Sequence, residues 1–248
     1  MVNAKRVAYT GVMVALVTAA TSLKLPMPIV SGGYVHLGDC MVFLSAILLG
    51  WRYGAAAAGL GSMLADIMGG YMQWAPFTLI IKVLMAVLVG IAFSLKKKKS
   101  KIYFSSSVIA IWTVFVITAK SLLNKAVDTI SPQLVDEIET VNSVPELISL
   151  NNYVQTVLLV STLLVVIIAA GLGAYMYRKG HNINLTFIMG IIAAGLWMAI
   201  GYYIAEYVIY GSYVVPVVHI PFNILQFTTG MIIALLVYAP LKKIIILK

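Results

Sequence analysis

Long apolar stretches separated by short polar segments repeat along the whole chain. Several of these stretches reach the roughly 20 residues that an α-helix needs to cross a bilayer. Short turns rich in glycine, proline or lysine separate them, as expected between membrane-spanning helices. The pattern predicts an all-α polytopic membrane protein with eight spans, at residues 4–23, 37–51, 55–68, 76–95, 102–119, 153–177, 184–207 and 214–238.

The composition excludes a soluble globular domain. Of the 248 residues, 62% are hydrophobic and 10% are charged, and the mean hydropathy is +1.01. Soluble domains carry about 25% charged residues. The single cysteine, Cys40, lies in an apolar run, so no disulfide within the chain and no multi-cysteine metal site are possible.

The positive charges predict the orientation. They lie in short clusters between spans and not along one face, which argues against nucleic-acid binding. With the eight predicted spans, 13 of the 17 Lys and Arg fall on one side, Lys24, Lys120 and Lys125 fall on the other, and Lys82 lies within the membrane. By the positive-inside rule the larger group is cytoplasmic. We therefore expect a multi-pass plasma-membrane protein with both termini in the cytoplasm, whose first apolar run is a retained helix and not a signal peptide.

The middle of the chain resembles an insertion between two parts of one membrane domain. Residues 1–99 hold the first four predicted helices and residues 184–248 hold the last two. Residues 100–183 form a helical hairpin with an acidic outer loop. Five of the chain's eight acids lie between Lys120 and Asn152, at no recognisable ligand spacing, which is typical of a solvated loop or surface helix.

Two glycine-rich polar runs, residues 32–39 and 65–74, follow and precede apolar spans. Polar groups at membrane depth persist only if they are buried in protein, line a cavity or face water. On the predicted topology, most of the side chains that are costly to place in lipid fall in the outer half of the membrane. This indicates an outward-facing pocket for a solute, in which aromatic side chains stack on a planar ring of the solute. The candidate substrate-binding residues are Tyr34, His36, Asp39, Asp66, Tyr71, Trp74, Lys82, Glu206, His219, Asn223 and Gln226.

Several of these residues have structural alternatives that the sequence leaves open. Asp39 is equally suited to capping the start of its helix. Asp66 is equally suited to pairing with Lys82, and the aromatic residues to an interface belt. His36 and His219 lack a defined ligand spacing, so we expect neither a metal nor a cofactor.

Enzymatic motifs are missing from the sequence. There is no H-E-x-x-H, no G-x-S-x-G and no Walker loop. The chain therefore has no ATP site of its own, and if it transports a solute, the energy must come from an ion gradient or a partner. The residues alone leave two functions open. One is an ion-coupled secondary transporter, and the other is an intramembrane enzyme that uses His36 and Asp39, or His219 and Glu206, as acid and base.

The glycine-rich runs resemble a known family. The matching segments are Gly33-Tyr34-Val35-His36-Leu37-Gly38-Asp39, Gly50 and Gly54, Ala65-Asp66 with Gly69-Gly70-Tyr71, Trp74-Ala75-Pro76 with Thr78-Leu79 and Lys82, Leu196-Trp197-Met198, Gly201-Tyr202, Ala205-Glu206, and Ile220-Pro221-Phe222-Asn223-Ile224-Leu225-Gln226. Together they are similar to the substrate-binding S component of energy-coupling factor (ECF) vitamin transporters. The most similar branch is the riboflavin type, which includes pyridoxine and hydroxymethylpyrimidine carriers. The resemblance covers residues 1–99 and 184–243.

The resemblance implies a fold, a function and partners. It implies a six-helix core whose site lies near the outer face, capped by the loop between the first two helices. It implies high-affinity binding of a small water-soluble vitamin or precursor, without enzymatic chemistry. The implied partners are a transmembrane coupling subunit, docked by Ala15 and Ala19, and two ATPases, and the S component is thought to topple in the membrane to carry substrate inward. The inserted pair of spans departs from the family pattern.

Overall fold

Seven α-helices and one small β-hairpin form the part of the chain that the computed structural model describes, residues 4–26, 34–128, 143–178, 185–211 and 215–244. Helices α2 to α7 are each long and apolar enough to cross a membrane. The expectation of an all-α polytopic protein is therefore confirmed. The elements are α1 (Ala4–Ser22), β1 (Lys24–Pro26), β2 (Tyr34–His36), α2 (Gly38–Met68), α3 (Ala75–Ser94), α4 (Lys98–Asp128), α5 (Val144–Arg178), α6 (Leu185–Tyr210) and α7 (Val215–Ile244).

Helix α2 is folded back on itself at Gly50. This glycine has φ 78° and ψ 171°, a backbone conformation that only glycine adopts readily. The Ser45 hydroxyl donates a hydrogen bond to the Gly54 carbonyl at 3.0 Å, although residues nine apart in a straight helix are separated by about 13 Å. The two halves, residues 38–49 and 51–68, correspond to the second and third predicted helices. The predicted turn at residues 52–54 is wrong, because those residues are helical and the break lies at Gly50.

Small residues allow the helices of the bundle to approach closely. Helix α1 packs on the second half of α2, where Thr18 Oγ1 donates to the Gly61 carbonyl at 2.9 Å. A Cβ at Gly61 would lie 2.6 Å from the Val17 side chain. Helix α3 lies between α2 and α6, and α7 contacts both α2 and α6. The buried apolar core runs through these contacts.

The β-hairpin joins α1 to α2. Its strands are antiparallel, with Lys24 opposite His36, and β2 contacts α1 and α7. The sequence predicted a non-helical loop here, and the structure places a strand at each end of it. The glycine-rich tip of that loop, residues 27–33, lies outside the described residues.

The inserted helices α4 and α5 are longer than predicted, with 31 and 35 residues. At 1.5 Å per residue they measure about 46 and 52 Å, whereas the hydrocarbon core is about 30 Å thick. The predicted ends of the two spans, residues 119 and 153, are corrected, since α4 continues to Asp128 and α5 begins at Val144. Most of the predicted acidic loop, residues 129–142, lies outside the described residues.

The inserted pair packs against α6 and α7. Trp112 of α4 meets Phe227 of α7 edge to face, with ring centroids 5.9 Å apart. Phe227 is fully buried, and a Cβ at Gly195 of α6 would collide with its ring. Helix α7 is therefore held between α4 and α6 at this level.

Candidate functional site

Four helices present polar side chains toward one another at one end of the bundle. On α6 and α7 these residues recur at three- and four-residue intervals, which places them on one helix face. Glu206 pairs with His219 near the helix ends, and Met198 contacts Gln226 about 10 Å deeper along the helices. We call this set the polar column. It consists of Asp39 of α2, Thr78 and Lys82 of α3, Met198, Tyr202 and Glu206 of α6, and His219, Asn223 and Gln226 of α7.

A buried ion pair forms the floor of the polar column. Lys82 Nζ lies 2.5 Å from Asp39 Oδ1, and neither side chain is exposed. The Gln226 amide donates to the second carboxylate oxygen of Asp39 at 3.0 Å. Lys82 also contacts Met198 Sδ at 3.4 Å and lies 5.4 Å from the centroid of the Tyr202 ring. Both carboxylate oxygens are therefore occupied, so the floor is suited to holding helices together more than to receiving a ligand.

The floor resolves two alternatives that the sequence left open. Lys82 forms an ion pair with Asp39, the residue that the sequence had not offered as its partner. Asp39 lies in the first turn of α2, but the start of that helix has no side-chain cap. The carboxylate of Asp39 instead contacts α3 and α7.

His36 links the β-hairpin to the floor. Its backbone N–H donates to Gln226 Oε1 at 3.1 Å, and its Nδ1 accepts the Gly38 N–H at 3.0 Å. Burial, and after it the positive charge of Lys82, lower the pKa of His36 from 6.5 to about 3. His36 is therefore neutral at physiological pH, and Gln226 connects it to the Asp39 carboxylate.

Asp66 and Tyr71 lie around Lys24, which the sequence analysis did not select. Lys24 Nζ is 4.3 Å from the centroid of the Tyr71 ring, and a Cβ at Gly69 would collide with it. Burial lowers the pKa of Lys24, and the carboxylate of Asp66 opposes that shift. These contacts anchor strand β1 to the end of α2. The sequence did carry one sign of this role: Lys24 stands apart from the lysine clusters, in the segment between the first two predicted helices.

Glu206 and His219 form a second buried pair at the top of the polar column. His219 Nδ1 lies 2.7 Å from Glu206 Oε2, with the side chains 2% and 6% exposed. His219 Nε2 has no hydrogen-bond partner among the residues that the structure describes. The side chain of Asn223, one turn further along α7, is buried, with the residue 7% exposed, and it makes no hydrogen bond within the described ranges. The top of the polar column therefore has polar atoms without a partner among the described residues, unlike the floor.

Trp74 belongs to an aromatic group at the same end. Its ring centroid lies 6.3 Å from that of Tyr202 and 6.1 Å from that of Tyr210. Of the other aromatic candidates, Tyr71 lies against Lys24, and the side chain of Tyr34 is not among those that the structure describes. The sequence analysis did not select Tyr202 and Tyr210 as ligand contacts, although both share a four-residue spacing with Glu206.

Ala15 and Ala19 lie on the exposed face of α1. Ala8 and Gly11 continue this face toward the start of the helix, and a Cβ at Gly11 would meet open space. The face is flat and small-sided, as close helix–helix contact in a membrane requires.

One curated relative shares part of the chain. It is an "Uncharacterized protein in gap 3'region" of Pyrococcus woesei, 48% identical over 75 residues, which are 30% of this chain and 49% of that protein. The chain thus spans about half the length of the curated relative it matches. No solved structure matches the chain.

The family profile described as "ECF-type riboflavin transporter, S component" matches residues 1–149 and 146–243. The two ranges run through nearly the whole chain, including the inserted pair, and the six long apolar helices agree with a multi-pass membrane protein. The resemblance inferred from the glycine-rich runs is confirmed. This chain belongs to the family of ECF-type riboflavin transporter S components.

Proposed function

We propose that this protein binds riboflavin, or a related small vitamin with a planar ring, in the top half of the polar column. The observation that carries the proposal is the convergence of four helices on one buried polar column whose floor is satisfied and whose top is not. Clefts of mixed apolar and polar lining with a few convergent polar groups are typical of small-molecule sites.

The candidate residues divide into two groups by their contacts. Trp74, Glu206, His219 and Asn223 contact the substrate, because their rings or polar atoms are available at the top. Asp39, Lys82, Gln226 and His36 position the helices and the β-hairpin, because their polar atoms are taken by one another. Asp66 and Tyr71 anchor the hairpin through Lys24. Tyr34 remains a candidate on sequence grounds.

The proposed topology has eight passes: α1, the two halves of α2, and α3 to α7. The fold-back at Gly50 supports counting α2 twice. The lysine cluster at residues 96–101 supports a cytoplasmic end where α3 meets α4. Both termini are then cytoplasmic, and the polar column opens at the outer face. Residues 1–99 and 184–248 form the S-component core, and residues 100–183 form an addition to it.

Transport requires partners in this proposal. The chain carries no ATP-binding motif, and the family implies an ECF module. A transmembrane coupling subunit docks on the α1 face at Ala15 and Ala19, and two ATPases supply the energy. The substrate crosses the membrane unchanged, so the protein is not an enzyme. An ion-coupled mechanism predicts instead that uptake continues without the ATPases and stops when the ion gradient is removed.

The test is calorimetric titration of the purified protein with riboflavin, pyridoxine, hydroxymethylpyrimidine and thiamine. We expect riboflavin to bind and Trp74→Leu to weaken it about tenfold or more, which corresponds to about 1.4 kcal/mol. Trp51→Leu is the matched control, because Trp51 lies beside Gly50 at the fold-back of α2, whereas the polar column lies where α2 begins. Absence of binding by every vitamin tested, or equal affinity of the two variants, contradicts the proposal.

A further inference from the structure

Glu206 and His219 form an acid–base pair that is separate from the rest of the polar column. His219 Nδ1 faces Glu206 Oε2 at 2.7 Å, and both side chains are almost completely buried. The other acid of the polar column is already paired, since Asp39 contacts Lys82. Within the described ranges, no further charged side chain forms an ion pair with Glu206 or His219.

The isolation of the pair constrains its protonation. A net charge buried in a membrane protein without a partner is strongly unfavourable, so the pair as a whole is uncharged. Three arrangements give zero charge: a carboxylate beside an imidazolium, a carboxylic acid that donates to an unprotonated Nδ1, and a carboxylic acid that accepts from a protonated Nδ1. In the first two the second ring nitrogen of His219, Nε2, carries a hydrogen, and in the third it is an unprotonated acceptor.

Nε2 has no partner among the described residues in any of these arrangements. It is a buried atom without a hydrogen-bond partner, and such atoms are rare because leaving a buried donor or acceptor unpaired is costly. Asn223 lies four residues further along the same face of α7, and its amide also makes no hydrogen bond with the residues described. Two neighbouring polar groups on this face of α7 therefore have no hydrogen-bond partner among the described residues.

We propose that Glu206 holds a proton on Nε2 of His219 and that this N–H is donated to a carbonyl oxygen or ring nitrogen of an uncharged substrate, beside a second hydrogen bond from Asn223. His219 is then a specificity-determining residue, and Glu206 is the residue that sets its protonation. This inference rests on the proposed function, since it assigns chemistry to the same site. An uncharged substrate follows because the acids of the polar column are already balanced by their own bases.

The protonation is tested without any ligand by nitrogen NMR of protein labelled at its three histidines, with His219→Phe used to assign the signal. We expect the Nε2 signal of His219 to be that of a protonated nitrogen near neutral pH. An Nε2 signal of an unprotonated nitrogen in the wild-type protein overturns the inference, whatever the protein binds.

The donor role is tested with riboflavin as the probe. We expect the Nε2 signal to shift on binding, and His219→Phe to bind riboflavin at least tenfold more weakly while Trp51→Leu binds normally. Thermal unfolding of each variant without ligand shows whether it is folded. If a folded His219→Phe binds riboflavin as tightly as the wild type, the inference fails and the proposed function stands.

The charge requirement is tested with riboflavin and its 5′-phosphate, which differ only at the phosphate. We expect the phosphate to bind at least tenfold more weakly. Equal affinity overturns the claim of an uncharged substrate. If the wild-type protein binds neither compound nor any other vitamin, the proposed function itself fails, and the NMR result still decides the protonation.

Discussion

The ion pair at the floor of the polar column gives a quantitative prediction about stability. Replacing Lys82 with methionine keeps most of the volume and removes the ammonium that contacts Asp39. The carboxylate remains fully buried and still accepts a hydrogen bond from the Gln226 amide. Removing one member of a buried ion pair costs about 3–5 kcal/mol, because the other charge is left uncompensated.

The double variant Asp39→Asn, Lys82→Met separates this cost from lost packing. It leaves no buried charge, and buried ion pairs replaced by uncharged groups of similar volume are often near neutral in stability. We therefore expect the double variant to be more stable than Lys82→Met alone by about 2 kcal/mol or more, since most of the single-variant cost is the unpaired carboxylate. Lys97→Met, at an exposed lysine after α3, is the control.

The assay is reversible unfolding in detergent, followed by circular dichroism at fixed pH and salt. Lys82→Met is expected to unfold at a clearly lower denaturant concentration than the wild type and Lys97→Met. The reasoning is refuted if Lys82→Met is as stable as Lys97→Met, or if the double variant is no more stable than Lys82→Met.

Three further predictions concern other parts of the structure. The pKa of His36 is lowered from 6.5 to about 3 in the folded protein, so as the pH falls His36 is protonated first in the unfolded chain. The free energy of unfolding is therefore unaffected by His36 above about pH 6.5 and declines below it by up to about 1.4 kcal/mol per pH unit. Unfolding measured at pH 7.5 and pH 5 should show this decline, and His36→Gln should reduce it; an unchanged decline contradicts the assignment. Trp112→Ala removes the ring against Phe227 and should cost about 3 kcal/mol in the same unfolding assay, with Trp112→Phe losing less. Ala15→Leu should leave riboflavin affinity unchanged and reduce co-purification of the coupling subunit, and undiminished co-purification would rule out this face as the docking site.

The helices were predictable because each apolar stretch is long and each polar interruption is short. The position of the fold-back in α2 was not predictable from hydropathy. Residues 52–54 end in Gly54 and were the expected place for a reversal, but Gly54 is helical and closely packed, since a Cβ there would lie 2.5 Å from the Ser45 carbonyl oxygen. The chain turns instead at Gly50, which adopts φ 78°. The end of α4 and the start of α5 were missed because these helical turns are polar, so a prediction based on hydropathy ended α4 too early and began α5 too late.

The members of the site were predictable, but their partners were not. Asp39 and Lys82 were selected because charged groups are costly at membrane depth. The sequence does not indicate whether Asp39 or Asp66 is the partner of Lys82, because the fold-back at Gly50 brings the start and the end of α2 to the same side of the bundle. Lys24 was missed because it was counted as a loop cation, and its contact with Tyr71 depends on how the β-hairpin packs on α2.

The central claim is that the top of the polar column is where the vitamin binds. The most direct test is an experimental structure of the protein with riboflavin bound. We predict that the flavin ring lies against Trp74, with ring heteroatoms or carbonyl oxygens within hydrogen-bond distance of His219 Nε2 and the Asn223 amide. A flavin bound at another surface, with His219 and Asn223 still buried without it, would contradict the account.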